Sequence, residues 1–421
     1  MTNFSEKIRQ EALSIGTIIY KPFVLPGVVS FVVSFVAGTR HDKKHGVTAR
    51  LLANWAREAT REHVREELSE LLEGRAISIQ VVTDTLRTSV YVTCPSQEIE
   101  EAMSITSLIC RAPRFETADL ELARLRLVTG LRQSLESTAE RAEQKVWQKL
   151  FPQAHPNYHE PTLESISKLQ KLSATELKRY WQENWGANDL VLAATGDVRY
   201  AELASMFTKH FSGWESTGLR ASPDQSFDRN NADKKIEVVK MPSKASVDVL
   251  WAEPISLDVW GREYQALRLA LRVLGGHGFS SRLMGIVRDK HGLTYGTYAN
   301  LAGLFRGDSG AMFVNASFAP ALYEKGLGIT GKVIADFARA GVTAKELEQM
   351  RENLLGSVEV GLSTSSGVLR ALLEIAENKR PLSSVDDMLA TVRSLKLVEL
   401  NAAIKKYIHP NKLVTVAAGS I

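Results

Sequence analysis

Cysteine is almost missing from this 421-residue chain, in which Cys94 and Cys110 are the only two. Two thiols cannot build a disulfide framework or a four-cysteine zinc site, so both are expected to act as small buried hydrophobes. No stretch approaches the ~18 uninterrupted apolar residues of a membrane span, and no membrane partner is expected. The most apolar run, Val28 to Ala37, is rich in Val and Phe, contains Ser30 and Ser34, and reads as a buried strand. Met1 to Glu6 carry no signal-peptide h-region. Charge of one sign is scarcely in excess. The 52 Lys and Arg against 48 Asp and Glu give a net charge of +4, with no long basic run and no interleaved aromatic patch. Nucleic acid is therefore not expected as a main partner. A G-x-S-x-G nucleophile turn and a G-x-x-x-x-G-K-[ST] phosphate loop are also absent.

The length calls for two or more domains with ample apolar core. Val28 to Phe35 is the first clear strand, followed by a charged turn through His41, Asp42, Lys43 and Lys44. From Thr48 to about Glu73, Leu51, Leu52, Trp55, Ala59, Val64, Leu68, Leu71 and Leu72 recur at helical spacing and predict one long helix. Ala76 to Val82 and Thr88 to Cys94 alternate as two antiparallel strands, and a helix follows from about Ser96 to Ile109. Thr117 to Ser137 and Ala139 to Phe151 are helical, Pro152 to Pro161 is a loop, and a helix from Ser173 to Trp185 leads to an apolar strand, Leu190 to Thr195. Tyr200 to Phe211 is a further helix.

The second half then repeats the first. At the displacement that takes Glu176 to Glu399, Leu172, Leu177, Asn188, Leu190, Val191, Ala194 and Gly196 match Leu395, Leu400, Asn411, Leu413, Val414, Ala417 and Gly419. At a nearby displacement Leu120, Glu121 and Arg124 match Leu347, Glu348 and Arg351. The expected fold class is α+β, with two homologous halves, each an antiparallel sheet backed by helices. The halves are placed at residues 1–214 and 236–421, and the polar segment 215–235 reads as the linker.

The most informative stretch runs from Gly275-Gly276-His277-Gly278 through Ser280-Ser281-Arg282-Leu283 to Arg288 and then Gly292-Leu293-Thr294-Tyr295. It reads as a glycine-rich loop, a short helix capped by Ser280 or Ser281 with Leu283, Ile286 and Val287 on its apolar face, a left-handed turn at Gly292, and a strand. Arg288 and Tyr295 sit on two elements joined by a tight turn, which can aim both side chains into one cleft. The string S-R-L-x-x-x-x-R-x-x-x-G-L-x-Y resembles the pitrilysin-type zinc peptidases with an inverted H-x-x-E-H motif, including their processing-peptidase and bacterial heterodimeric branches. The resemblance covers nearly the whole chain. It implies that Arg288 and Tyr295 contact substrate, and that the glycine loop, with Gly276 and Gly278, handles it.

In that family two histidines four apart on the first long helix hold zinc, an adjacent glutamate is the general base, and a glutamate from a later helix completes the site. Here Gly46-Val47-Thr48-Ala49-Arg50-Leu51-Leu52-Ala53 falls where the family reads G-x-x-H-x-x-E-H, so the three positions are Ala49, Leu52 and Ala53. The later helix lines up with Gly130 at the fourth. None of these can bind a metal or accept a proton. His41 with His45, and His155 with His159 and Glu160, are the remaining clusters; the first lies in a charged turn, Pro156 interrupts the second, and both read as solvated loop histidines. His277 and His291 read as cleft-wall residues.

The resemblance thus implies a zinc-free subunit of a heterodimeric metallopeptidase. It needs no cofactor of its own, and its partner is a homologous chain that carries the zinc and closes with it around a peptide. The exported bacterial pairs point to the periplasm. The alternatives are a peptide-binding or scaffold protein of the same fold without hydrolysis, and an autonomous enzyme with another site. Elemental analysis of the purified chain should find less than stoichiometric zinc, and chelators should change none of its properties.

Overall fold

Both faces of the strand at Val28–Val36 are covered, which is why it is apolar and buried along nearly its whole length rather than alternating. The computed structural model describes residues 3–23, 26–221, 236–276, 280–304 and 309–421, so residues 222–235 of the expected linker lie outside the described residues.

Strands β1 Arg9–Leu13, β2 Gly16–Pro22, β3 Val28–Val36, β4 Ser78–Thr83, β5 Arg87–Pro95 and β6 Val191–Gly196 form a sheet in the order β1-β2-β6-β3-β5-β4. Strands β7 Glu237–Lys240, β8 Val247–Ile255, β9 Thr294–Ala302, β10 Gly310–Phe318 and β11 Val414–Gly419 form another, ordered β7-β11-β8-β10-β9. Neighbours are antiparallel except β2 with β6 and β7 with β11, which run parallel. The orders superimpose strand for strand once β1 is set aside. The fold is α+β with two homologous halves, each sheet antiparallel apart from one pair.

The repeat extends to single contacts. Gly196 and Gly419 end β6 and β11 at φ +126° and +152°, and a Cβ at either would lie 2.4 Å from the Val28 carbonyl oxygen or 2.5 Å from that of Ser246. Only glycine allows the neighbouring strand so close. Arg124 donates to the Leu172 carbonyl at 2.8 Å, and its repeat-mate Arg351 donates to that of Leu395 at 2.6 Å. Glu176 and Glu399 both accept from the backbone N–H three residues earlier, and each pairs with a cation, Lys44 or Arg262. These contacts hold both carboxyls down at about 2.

The single helix expected from Thr48 to about Glu73 is two helices, Val47–Ala56 and Arg65–Gly74. Between them the backbone pairs with another segment instead of itself: Arg61 N–H donates to Ala112 at 2.8 Å, and Arg114 N–H to Ala59 at 3.0 Å. Thr60, fully buried, receives the His63 N–H on its hydroxyl. The apolar periodicity continues through the break, so the sequence conceals it.

Two compact units result, and each takes a helical segment from the other sequence half. The first comprises residues 1–130, 163–221 and 358–386; the second 131–162, 222–357 and 387–421. In the first unit, helix Ser365–Glu377 lays Val368, Leu372 and Ala376 against Ile19, Val32, Val191 and Ala193 of the sheet. In the second, helix Thr138–Leu150 lays Val146, Trp147 and Leu150 on Leu250, Phe313, Val414 and Val416. Among the described residues no helix is long and apolar enough to cross a membrane.

An ion pair holds the first of these helices. Arg87, 3% exposed at the start of β5, reaches Glu377 at 2.9 Å and donates to Ser34 Oγ at 2.8 Å and to the Asp189 carbonyl at 2.6 Å. Removing one partner strands a buried charge. Glu377→Ala should therefore cost about 3 kcal/mol in urea unfolding, and the double change Arg87→Met with Glu377→Leu should recover part of that loss.

Candidate functional site

Leu283 and Val287 are fully buried and Ser281 Oγ accepts the Met284 N–H, as expected of a capped amphipathic turn. The helix itself differs from expectation, because Met284–Lys290 is wound as a π-helix. Such windings are rare and recur at functional sites, where the wider turn changes which way a side chain leaves the axis. Arg288 is on this segment. Arg282, six residues earlier, anchors it: its guanidinium grips Glu346 through two bonds of 2.6 and 2.8 Å, donates to the Gly341 carbonyl, and lies 5.3 Å from the Phe337 ring centroid.

The chain reverses at Gly292, whose φ of +62° is the left-handed turn the sequence called for. There the Gly292 N–H bonds to the Arg288 carbonyl and the Leu293 N–H to that of Val287. It then enters β9, an edge strand of its sheet. Thr294 faces Phe318 and Thr297 faces Ala316, so β9 holds an extra residue at Tyr295-Gly296. The Thr294 hydroxyl stitches this bulge. It lies 2.6 Å from the Ser317 carbonyl and 2.8 Å from that of Gly296, and accepts the Gly296 N–H at 3.2 Å. Bulges re-aim side chains. Tyr295 is 91% exposed as a result, and the Arg288 guanidinium stands 5.5 Å from its ring centroid. The two residues are thus brought together from different elements, as two hydrogen-bond donors flanking one exposed ring.

Gly276 caps helix Arg262–Gly275, and a Cβ there would fall 2.7 Å from the Arg272 Cα; at Gly275 it would fall 2.6 Å from the Ala299 nitrogen on β9. Gly275 lets the helix end approach β9, and Gly276 lets the chain leave close against the helix's own last turn. Gly278 and His277 lie outside the described residues. His291 is half-buried at the end of the π-helix.

Ala49, Leu52 and Ala53 are all buried on helix Val47–Ala56, at 1%, 0% and 2% exposure. Asp42 caps that helix by accepting the N–H groups of Thr48 and Ala49. Gly130 lies exposed on helix Thr117–Glu136 with open space where a side chain would stand. Two methyl groups, an isobutyl group and a glycine do not fit a zinc ion, which requires nitrogen, sulfur or carboxylate donors. Among the described residues no group of three or more His, Cys, Asp or Glu side chains could hold a metal. His155 is not a solvated loop residue. It is 2% exposed, its ring stacks on Phe151 at 3.9 Å, and Nδ1 accepts the Asn157 N–H. His159 lies 5.5 Å from the Trp147 ring. Trp147 and Phe151, one turn apart, were the sequence signal for this aromatic cluster.

Known proteins agree with this combination of repeated fold and empty donor set. Residues 27–159 match the family model described as insulinase (peptidase family M16), and residues 171–354 match the peptidase M16 inactive domain. A non-peptidase homolog, YmxG, of Helicobacter pylori is 25% identical over 89% of this chain and 85% of its own length. An uncharacterized zinc protease of Mycobacterium tuberculosis is 27% identical over 58% of this chain and 55% of its own. Among solved structures, a peptidase M16 inactive domain from Pseudomonas fluorescens superimposes with a TM-score of 0.88 at 20% identity, covering 98% of both chains. A protease from Helicobacter pylori does so with a TM-score of 0.84 at 16% identity, covering 98% of this chain and 99% of that one. The chain belongs to the pitrilysin-type peptidase family M16, and it is a non-catalytic member, without the side chains that hold the metal.

The Arg282 anchor is open to test through pH. Partial burial pushes the Glu346 carboxyl up, but hydrogen bonds from Arg282 and from the Thr343 N–H and hydroxyl, with the Arg282 charge, outweigh it and bring the group down to about 2. A depressed carboxylate stabilises the fold above its ordinary value of 4.5 and loses that contribution as pH falls from there toward 2. Arg282→Gln should raise the Glu346 titration point, read by carboxyl-carbon NMR, and flatten the acid limb of stability over that window.

Proposed function

We propose that this chain is the zinc-free subunit of a two-chain zinc metallopeptidase and that it presents Arg288 and Tyr295 to the peptide the pair hydrolyses. The observation that carries the reading is the 91% exposure of Tyr295 beside Arg288, on a bulge and a π-helix that are both irregular. An aromatic ring left in water has no packing role, and two adjacent departures from regular structure are retained where a side chain must be aimed. The Tyr295 phenol and the Arg288 guanidinium can donate to carbonyl oxygens of an extended peptide, holding it in register and stabilising charge that develops on one of them. A homologous partner with an intact H-x-x-E-H helix supplies the metal and the base.

The relatives support a division of labour within the family, whose members by name include a non-peptidase homolog, zinc proteases and the beta subunit of a mitochondrial-processing peptidase from Neurospora crassa. The compartment we favour is the periplasm, on the resemblance to paired bacterial relatives. Gly276 and Gly278 belong to the same reading as the loop that borders the peptide.

Recovering the native chain with its partner and assaying peptide hydrolysis tests this. A similar-sized partner bearing H-x-x-E-H, with hydrolysis that neither chain performs alone, is the expected result. In that pair Arg288→Ala and Tyr295→Phe should each lower turnover by on the order of 10²–10³ without dissociating the chains. Near-full activity in both variants overturns the Arg/Tyr role. Peptide binding without hydrolysis in any complex transfers the site to a scaffold.

A further inference from the structure

Helix Arg262–Gly275 carries two arginines one turn apart, Arg268 and Arg272, which therefore share a face. Like charges at this spacing repel, and they are ordinarily offset by carboxylates. The other arginines nearby are offset: Arg262 pairs with Glu399, Arg282 with Glu346 and Arg351 with Glu348. Among the described residues Arg268 and Arg272 have only neutral partners. Arg272 donates to Asn353 Oδ1 at 2.6 Å and to Ser357 Oγ at 3.0 Å, and its Nε is buried with no partner. Arg268 reaches only the Oε1 of Gln265, itself 4% exposed, at 3.5 Å. Among the described residues neither guanidinium has a carboxylate within ion-pair distance. Burial, followed by the charge of Arg268, pulls Arg272 below its ordinary value. Among the described residues these two partly buried cations, one turn apart, lack an anion.

The surroundings say which kind. Helix Arg262–Gly275 follows β8 as helix Val47–Ala56 follows β3, and its last residue packs against Ala299 on β9. Arg272 is thus within one turn of the strand that bears Tyr295. Ser357 follows Gly130 by the displacement that takes Arg124 to Arg351. In the second half, the counterparts of the helices that bear Ala49, Ala53 and Gly130 therefore offer guanidinium and amide donors, with the Ser357 hydroxyl holding Arg272 in place by accepting from it while donating to the Asn353 carbonyl at 2.6 Å. Such planar forks match a carboxylate through paired bonds.

We infer that Arg268 and Arg272, with Asn353 and Ser357, form a site for a carboxylate of the bound peptide. The inference rests on the peptide-contact reading above. The carboxylate can come from the chain terminus or from an acidic side chain.

The test uses the full chain and an N-terminally labelled, unstructured decapeptide without acidic residues, prepared as the free acid, as the C-terminal amide, and as the amide with one internal Glu. Fluorescence anisotropy should show the free acid or the Glu peptide binding on the order of tenfold tighter than the plain amide, and which of the two does so identifies the source. Arg272→Gln and Arg268→Gln should abolish the difference, and Arg272→Lys should restore part of it. Equal affinity of all three peptides for the unaltered chain, or a difference that survives both glutamine variants, overturns the site. N-acetylalanine and its amide provide a second probe, read on the arginine Nε–H signals in ¹⁵N NMR. If the acid alone shifts the Arg268 and Arg272 signals while no peptide binds, the carboxylate site stands and the peptide reading falls. If neither probe binds, the carboxylate site falls, and the peptide reading is decided by the assay of the two-chain pair.

Discussion

Everything else in this fold depends on covering the second face of each sheet. Strands such as β3 and β6 are apolar on both sides, so a sheet backed only by helices of its own half would leave a broad hydrophobic surface in water. The chain meets this demand by exchange. Helix Ser365–Glu377 closes the first sheet and helix Thr138–Leu150 the second, each coming from the opposite half of the sequence. Neither half contains all the parts of a finished unit. The buried Arg87–Glu377 pair adds specificity to the apolar contact, because a guanidinium enclosed at 3% exposure requires its carboxylate in place.

Within that frame the candidate site is built from irregularities held by regular neighbours. The π-helix that carries Arg288 is tied to helix Ala344–Leu362 through Arg282 and Glu346, and the bulge that carries Tyr295 is stitched to β10 through Thr294. Each irregular segment forgoes some backbone order, and each is offset by a side chain bonded to rigid structure beside it. Arg282 and Thr294 are the residues that sequence reasoning passed over. Arg282 is specified in the motif string and Thr294 stands at one of its open positions, but their roles appear only when Glu346 and Ser317 are brought alongside.

The loss of metal chemistry left the helix that would carry it intact. Ala49, Leu52 and Ala53 are packed into the core of their unit, and Asp42 still caps the helix, so the element persists as structure without donor atoms. Its counterpart in the second half went a different way, carrying arginines one turn apart. One architecture, duplicated, thus packs both helices through apolar residues but adds, in the second half, two arginines without a carboxylate among the described residues, which is the general behaviour of folds whose chemistry resides in a few replaceable side chains.

The sequence by itself determined the class of fold, the duplication, the absent metal ligands and the turn that joins Arg288 to Tyr295, because each of these is local. Alternation, helical spacing, a glycine at a left-handed turn and the identity of four side chains can all be read without knowing what lies across the core. Other features were decided by tertiary structure alone: the break between Ala56 and Arg65, the burial of His155, the π-winding around Arg288, the bulge under Tyr295 and the exchange of helices. In the break and under Tyr295 the chain gives up its local pattern for a partner outside it, Ala112 for Arg61 or Ser317 for Thr294. Local periodicity carries no trace of such partners, and only the packed chain supplies them.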